Sequence, residues 1–364
     1  MDPRIREQAE VIVDHSTGVE RGDNVVISAP TVAEDLVTAV HELVGDRGAT
    51  PVYLGSSPRA DRAYMRAVDV EELATPDHLQ ALYEASDVLI RVRATENATQ
   101  HSDVPAAAQA RRSTINQPVQ EAALSSRWCL TQYPTPAGAQ LAELSTEAYE
   151  NFVWDAIVQD WAAVSAHQAQ MVELLEPADR VRIVSGETTD ISMSVAGNPC
   201  LNDDAEHNLP GGEVFTTPVP ESVEGEVLFD KPVYQQGREV LGARLVFEDG
   251  EVVDHAAEKN ESVLTSILET DPGARRLGEL GIGMNRDIDR FSYNMLFDEK
   301  MGDTVHLAVG RAYPMAVGDG NEANESAQHV DMIVDMSEDS SIEVDGEVVQ
   351  RNGTFVFEEG FQAV

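Results

Sequence analysis

Asn24-Val-Val-Ile-Ser-Ala-Pro30 is a short apolar run with turn residues at both ends, and the period changes immediately after it. From Thr31 to about Asp46, Val32, Leu36, Val40 and Leu43 recur at helical spacing. An apolar run of this length reads as a buried strand, and the pattern behind it as a helix lying against that strand. The motif repeats outward. Thr50-Pro-Val-Tyr-Leu-Gly55 is strand-like, residues around 60–85 are polar and helical, and Asp87-Val-Leu-Ile-Arg-Val92 and Arg127-Trp-Cys-Leu-Thr-Gln132 are further strands. A βαβα rhythm predicts a parallel α/β sheet. No Gly-rich dinucleotide fingerprint follows the first strand, so the likeness to cofactor-binding folds is one of architecture.

Residues 148–178 predict one long helix, with Phe152, Ile157, Trp161, Val164, Gln168, Met171 and Leu175 roughly in register, ending at Glu176-Pro177. Beyond it the texture turns to β. Arg180–Ser185, Asp190–Val195, Glu224–Leu228, Ala243–Phe247 and Glu251–His255 are strand-like and separated by Gly and Pro. Asp249-Gly250 suits a tight hairpin turn with both residues at positive φ. Residues 337–346 read as an acidic loop leading to a terminal hairpin. The chain of 364 residues exceeds one ordinary core. The expected division is an α/β N-terminal domain over 1–178 and an α+β, β-rich, metal-binding domain over 179–364.

Sixty-five acidic residues face 25 basic ones, for a net charge of −40, and Lys231, Lys259 and Lys300 are the lysines. Self-repulsion on this scale opposes a compact state at low ionic strength. Salt near molar strength shortens the screening length to about 3 Å and relieves it. Acid excess with lysine scarcity therefore points to a salt-rich cytoplasm. Nucleic acid is excluded as a partner, because its recognition needs a basic footprint. Cys129 and Cys200 form neither a disulfide framework nor a zinc knuckle. Met1-Asp-Pro-Arg-Ile-Arg-Glu7 has no apolar core of a signal peptide, and no apolar run approaches 18 residues, so the expectation is an intracellular protein off the membrane.

The chemistry lies in short phrases of the second half: Pro-Gly-Gly-Glu213-Val-Phe-Thr-Thr, Leu-Gly-Glu279-Leu-Gly-Ile-Gly, Phe-Asp-Glu299, Thr-Val-His306-Leu-Ala-Val-Gly and His329-Val-Asp331-Met. Imidazole and carboxylate are the usual ligands of hydrolytic zinc, cobalt or manganese, and four carboxylates beside two imidazoles suit a pair of ions. In a strand, His329 and Asp331 project from one face while Val330 and Met332 take the other. A surface strand with ordinary polar residues reads the same way. His306, among β-branched neighbours, fits a core histidine as well as a ligand. Glu279 sits in a glycine-lined apolar run, where a carboxylate without a partner is costly, which favours a ligand or a base. A charged turn explains Glu299 equally well. Tyr313, in Arg-Ala-Tyr-Pro, is either a packed ring before a proline or a donor to a developing oxyanion.

Taken together these phrases resemble the aminopeptidase T and aminopeptidase S family of dinuclear metallopeptidases, over almost the whole chain from Pro3-Arg and Gly22-Asp-Asn-Val to His329-Val-Asp331. The resemblance implies six metal ligands (Glu213, Glu279, Glu299, His306, His329 and Asp331), with Glu279 bridging two divalent ions. It places Tyr313 at the family's active-site tyrosine. It also implies an N-terminal α/β domain joined to a β-rich one, assembled as a homodimer around an enclosed site. The chain is shorter than the better-known members, and its Glu299–His306 interval is slightly longer than in some.

The implied reaction is metal-assisted hydrolysis of the first peptide bond of short peptides, with Glu279 and Tyr313 as catalytic groups. The alternative enzyme is a non-haem Fe(II) ring-cleaving dioxygenase of the dihydroxypyridine type, built on His306, His329 and Asp331. Glu213, Glu279 and Glu299 are superfluous to that site. A third reading is an inactive binding member of the family.

Overall fold

The structure is a computed structural model that describes residues 2–235 and 238–362. By contacts it divides into two compact units: the chain up to Gln159 together with Ala205–Gly211, and Asp160–Asp204 together with the chain from Gly212 onward.

In the first unit, β1 (Asn24–Pro30), β2 (Thr50–Ser56), β3 (Val88–Arg93) and β4 (Arg127–Gln132) form the expected parallel sheet in the order β2-β1-β3-β4. A two-residue strand, Asn208–Leu209, extends it beside β4. Val25, Val26 and Ile27 of β1 and Val88, Leu89 and Ile90 of β3 are consecutive and buried, as expected where helices cover both faces. Helix α1 (Glu34–Arg47) contributes Leu36, Val40 and Leu43 to the core and stops at Gly48, whose φ of 77° closes its C-terminus. Val32 lies outside that helix, in a 3-10 turn, and is exposed. The polar helical stretch is two helices, Pro58–Ala67 and Asp77–Glu84.

The predicted helix over 148–178 is also two helices, Thr146–Ile157 and α2 (Trp161–Leu175). Asp160 interrupts them, its side chain accepting from the Ala163 amide as an N-cap. The break coincides with the unit boundary, which differs from the expected division at 178. The reason is packing. Met171 and Leu175 of α2 join the core of the second unit, and the Gln168 amide donates to the backbone oxygens of Asp203 and Glu213.

The second unit contains two large antiparallel sheets and a two-stranded ribbon, Val233–Gln235 with Arg238–Val240, around one apolar core. The larger runs Glu251–Ala256, Ala243–Glu248, Glu224–Phe229, Thr189–Ser194, Arg180–Ser185, Ser340–Val344, Glu347–Arg351 and Thr354–Phe355. Asp249 and Gly250 have φ of 48° and 79°, as the hairpin turn requires. Residues 340–344 are a strand where the sequence reads as loop, because Ile342 and Val344 are buried in this core. The smaller sheet consists of β5 (Leu201–Asp203), β6 (Glu213–Thr216), β7 (Leu277–Gly283), β8 (Thr304–Gly310) and β9 (His329–Asp335), in the order β9-β8-β7-β6-β5. Among the described residues no helix is long and apolar enough to cross a membrane.

Candidate metal centre

The five-stranded sheet separates its side chains by the period of two. Leu280, Ile282, Val305, Leu307, Val309, Val330, Met332 and Val334 enter the apolar core. On the other face the register sets Glu213 across from Gly283, Gly281 across from His306, and Ala308 between Glu279 and Asp331, while His329 lies across from Gly310. The pairing shifts between Leu277 and Glu279. This bulge lets Leu277 and Leu280 both face the core and turns Glu279 onto the polar face. Gly281 is required by space: a Cβ there would stand 2.0 Å from Cε1 of the His306 ring, which lies over it. Gly212, at φ 115°, brings the chain against Asn285 immediately before Glu213.

Two ligand groups form on this face. Glu213, Glu279 and His306 bring a donor atom each to within 4.8 Å of one another, and so do Glu279, His329 and Asp331. Glu279 is common to both. His306 Nε2 is 3.2 Å from Glu213 Oε2 and 3.1 Å from Glu279 Oε1. His329 Nε2 is 3.4 Å from Asp331 Oδ1 and 4.0 Å from Glu279 Oε2. The other nitrogen of His329, Nδ1, donates to the Arg311 carbonyl at 2.8 Å, which leaves the Nε2 lone pair turned to the carboxylates. Buried oxygens of Glu213 and Asp331 have no hydrogen-bond donor. Lone pairs facing lone pairs in a buried site are what a cation relieves, and the donor set fits a divalent one.

A proton is the other relief, and the titration behaviour reflects this. Burial opposes charge on His306, but Glu213, Glu279 and Asp331 outweigh it and raise its pKa to about 10. His329 is likewise raised to about 9, mainly by Asp331 against burial. The charge on His329 overrides burial at Asp331 and lowers it to about 2. Burial raises Glu279, with the neighbouring carboxylates adding to it.

Glu299 falls outside both groups. It is held by the ammonium of Lys300, which is fully buried and also lies 2.9 Å from Glu213 Oε1 and 3.4 Å from Asp203 Oδ2. Burial, only partly offset by Lys300, pushes Glu299 and Asp203 up to about 7. Lys300 and Asp203 carried no sequence signal beyond the rarity of lysine in this chain. Tyr313 caps a 3-10 turn at the edge of the site, its ring 4.7 Å from that of His329. Burial and the charges of Glu279, Asp331 and Glu299 raise its pKa, so the phenol keeps its proton.

The family profile described as thermophilic metalloprotease (M29) matches residues 1–361. The chain belongs to the M29 family. It is 28% identical to aminopeptidase 2 of Geobacillus stearothermophilus, with 98% of each chain covered. It is 29% identical to aminopeptidase T of Thermus aquaticus, with 94% of each covered. The solved structure of wild-type AmpT from Thermus thermophilus superimposes with a TM-score of 0.85 at 26% identity, over 97% of this chain and 99% of that one. A 2,5-dihydroxypyridine dioxygenase from Pseudomonas putida shares the fold alone, with a TM-score of 0.61 at 14% identity over 98% and 97% of the chains. The α/β and β-rich architecture is thus that of an M29 metallopeptidase, and the protein is a metal-dependent hydrolase of that family.

Proposed function

We propose that this M29 metallopeptidase removes the N-terminal residue from short peptides, using two divalent cations of zinc, cobalt or manganese. Glu213, Glu279 and His306 would hold one, and Glu279, His329 and Asp331 the other. The observation that carries this reading is the sharing of Glu279 by both groups on one sheet face. When bound, such ions supply Lewis acidity, which polarises a peptide carbonyl and lowers the pKa of an attacking water. The Glu279 carboxylate, between His306 and His329, would hold the attacking water and pass its proton to the leaving amine. The Tyr313 hydroxyl donates to the oxyanion as the carbonyl carbon becomes tetrahedral. The Arg311 carbonyl fixes the His329 ring and its tautomer. Asp203, Glu213, Glu279, Glu299 and Asp331 share the site with one ammonium, Lys300, which contacts the first, second and fourth of them, and a carboxylate near the ions would capture the substrate's free α-ammonium.

The ring-cleaving alternative draws on His306, His329 and Asp331 as one set. Here the two imidazoles fall into different groups, each completed by Glu279. Elemental analysis of protein purified in high salt, with a leucyl-chromogen assay after adding Co, Mn, Zn or Fe(II), tests the proposal. Two non-iron ions per chain and chelator-sensitive release of the chromophore are expected. One iron per chain without peptide cleavage overturns it. Metal without turnover of any peptide favours an inactive binding member. The net charge of −40 supports a salt-rich cytoplasm as the setting, and the family resemblance supports a homodimer.

A further inference from the structure

Lys300 is the one ammonium among these carboxylates, and none of its side chain is exposed. Burying an ammonium is costly unless it is paired, and Lys300 donates hydrogen bonds to Glu213 and Glu299 with the Asp203 carboxylate 3.4 Å away. Its backbone is pinned as well: its N–H donates to Phe297 O at 3.0 Å, and its carbonyl accepts from Asn285 N at 3.1 Å. The cation therefore cannot swing away to solvent. One oxygen of Glu213 is committed to Lys300 and the other faces His306. Glu299 is turned to Lys300 instead of to either ligand group.

We propose that Lys300 is a positioning residue of the metal centre, a fixed internal cation that keeps Glu299 off the ions and leaves Glu213 a single oxygen for them. The stoichiometry of this arrangement rests on the two-cation reading above, whereas the role of the lysine rests on side-chain geometry. The ions are then held by Glu213, Glu279, His306, His329 and Asp331, next to a permanent positive charge. That charge weakens their binding and preserves their Lewis acidity, since a further carboxylate on an ion would neutralise it. A unit charge a few ångströms from a divalent ion changes its affinity by at least about tenfold at the effective dielectric of a protein site.

The test uses chelator-stripped full-length protein, zinc titrated against a competing chromogenic chelator, and the visible spectrum of the Co(II) form, which reports coordination. Glu299→Gln keeps the wild-type stoichiometry and Co(II) spectrum. Loss of an ion or a changed spectrum in that variant overturns the inference. Lys300→Met frees both glutamates, so it tightens zinc binding by at least about tenfold and alters the Co(II) spectrum as an added oxygen ligand enters. Lys300→Met combined with Glu299→Gln moves the spectrum back towards the original, leaving only the contribution of the freed Glu213 oxygen. Unchanged or weaker zinc binding in soluble Lys300→Met also overturns the inference. If Lys300→Met folds only with zinc present, that supports the lysine as the counter-charge of the empty site, and the Glu299→Gln arm still decides independently. A wild-type stoichiometry of one ion overturns the two-cation reading and leaves the Glu299→Gln spectrum to judge the lysine.

Discussion

β3 of the first unit and β7 of the second are both buried strands, yet they use burial differently. Val88, Leu89 and Ile90 fill space on both faces of a parallel sheet. In β7 all seven residues are buried, but Leu280 and Ile282 pack into a core while Glu279, Gly281 and Gly283 keep the opposite face thin and ionisable. Aliphatic burial is favourable by itself, at roughly 25 cal/mol per Å² of apolar surface. A buried carboxylate is a liability until a cation or proton joins it. The contrast teaches that the first sheet is stable on its own account, whereas the polar face of the second is held in place by what it binds.

The severest way to break this contrast is Glu279→Gln, which removes the carboxylate common to both groups. Metal content should fall towards zero and kcat by about a thousandfold or more, read by elemental analysis and the leucyl assay. Full activity would show that Glu279 is a structural carboxylate. Gly281→Val should come next. A Cβ placed 2.0 Å from the His306 ring forces the imidazole off the strand, so binding at the Glu213–Glu279–His306 position should be lost while the fold persists. Tyr313→Phe should leave both ions bound and lower kcat by about a hundredfold with little change in KM; a KM effect alone would make the tyrosine a binding residue.

Acidity sharpens the contrast without mutation. In the metal-free site His306 and His329 are raised to about 10 and about 9, so a cation must displace their protons at neutral pH. Metal affinity should therefore strengthen as pH rises from 6 to 9, by about tenfold per pH unit for each proton displaced. Competition titrations at fixed ionic strength would measure this, and a flat profile would mean that the imidazoles are already neutral. The smallest effect on the site belongs to the first sheet. Ile90→Ala should cost about 2–5 kcal/mol of stability through the cavity it leaves, yet metal affinity and KM should be unchanged.

Much of this arrangement is legible in local pattern. The runs from Asn24 and Asp87 predict parallel strands because consecutive apolar residues have no other compact home, and the alternation at His329-Val-Asp-Met puts both ligands on one face. Asp249-Gly250 predicts its own turn. Patterns fail where distant residues decide. The helix predicted across 148–178 breaks at Asp160, because Gln168, Met171 and Leu175 commit α2 to β5, β6 and the core of the second unit. The tail at 340–344 reads as loop until Ile342 and Val344 find a core. The spacing Leu277–Glu279 implies one face for both residues, and the bulge at Gly278 separates them.

Taken by itself, the amino-acid sequence determined the fold class, the family and the residues able to bind a divalent ion, because periodicity and ligand chemistry are local properties of short phrases. Tertiary structure alone decided how those residues are shared out: Glu279 belongs to both ligand groups, and Glu299 belongs to Lys300. The reason is physical. Charges act through space, and the register of β5 to β9, with the loop that carries Lys300, determines which carboxylate meets an imidazole and which meets a buried ammonium.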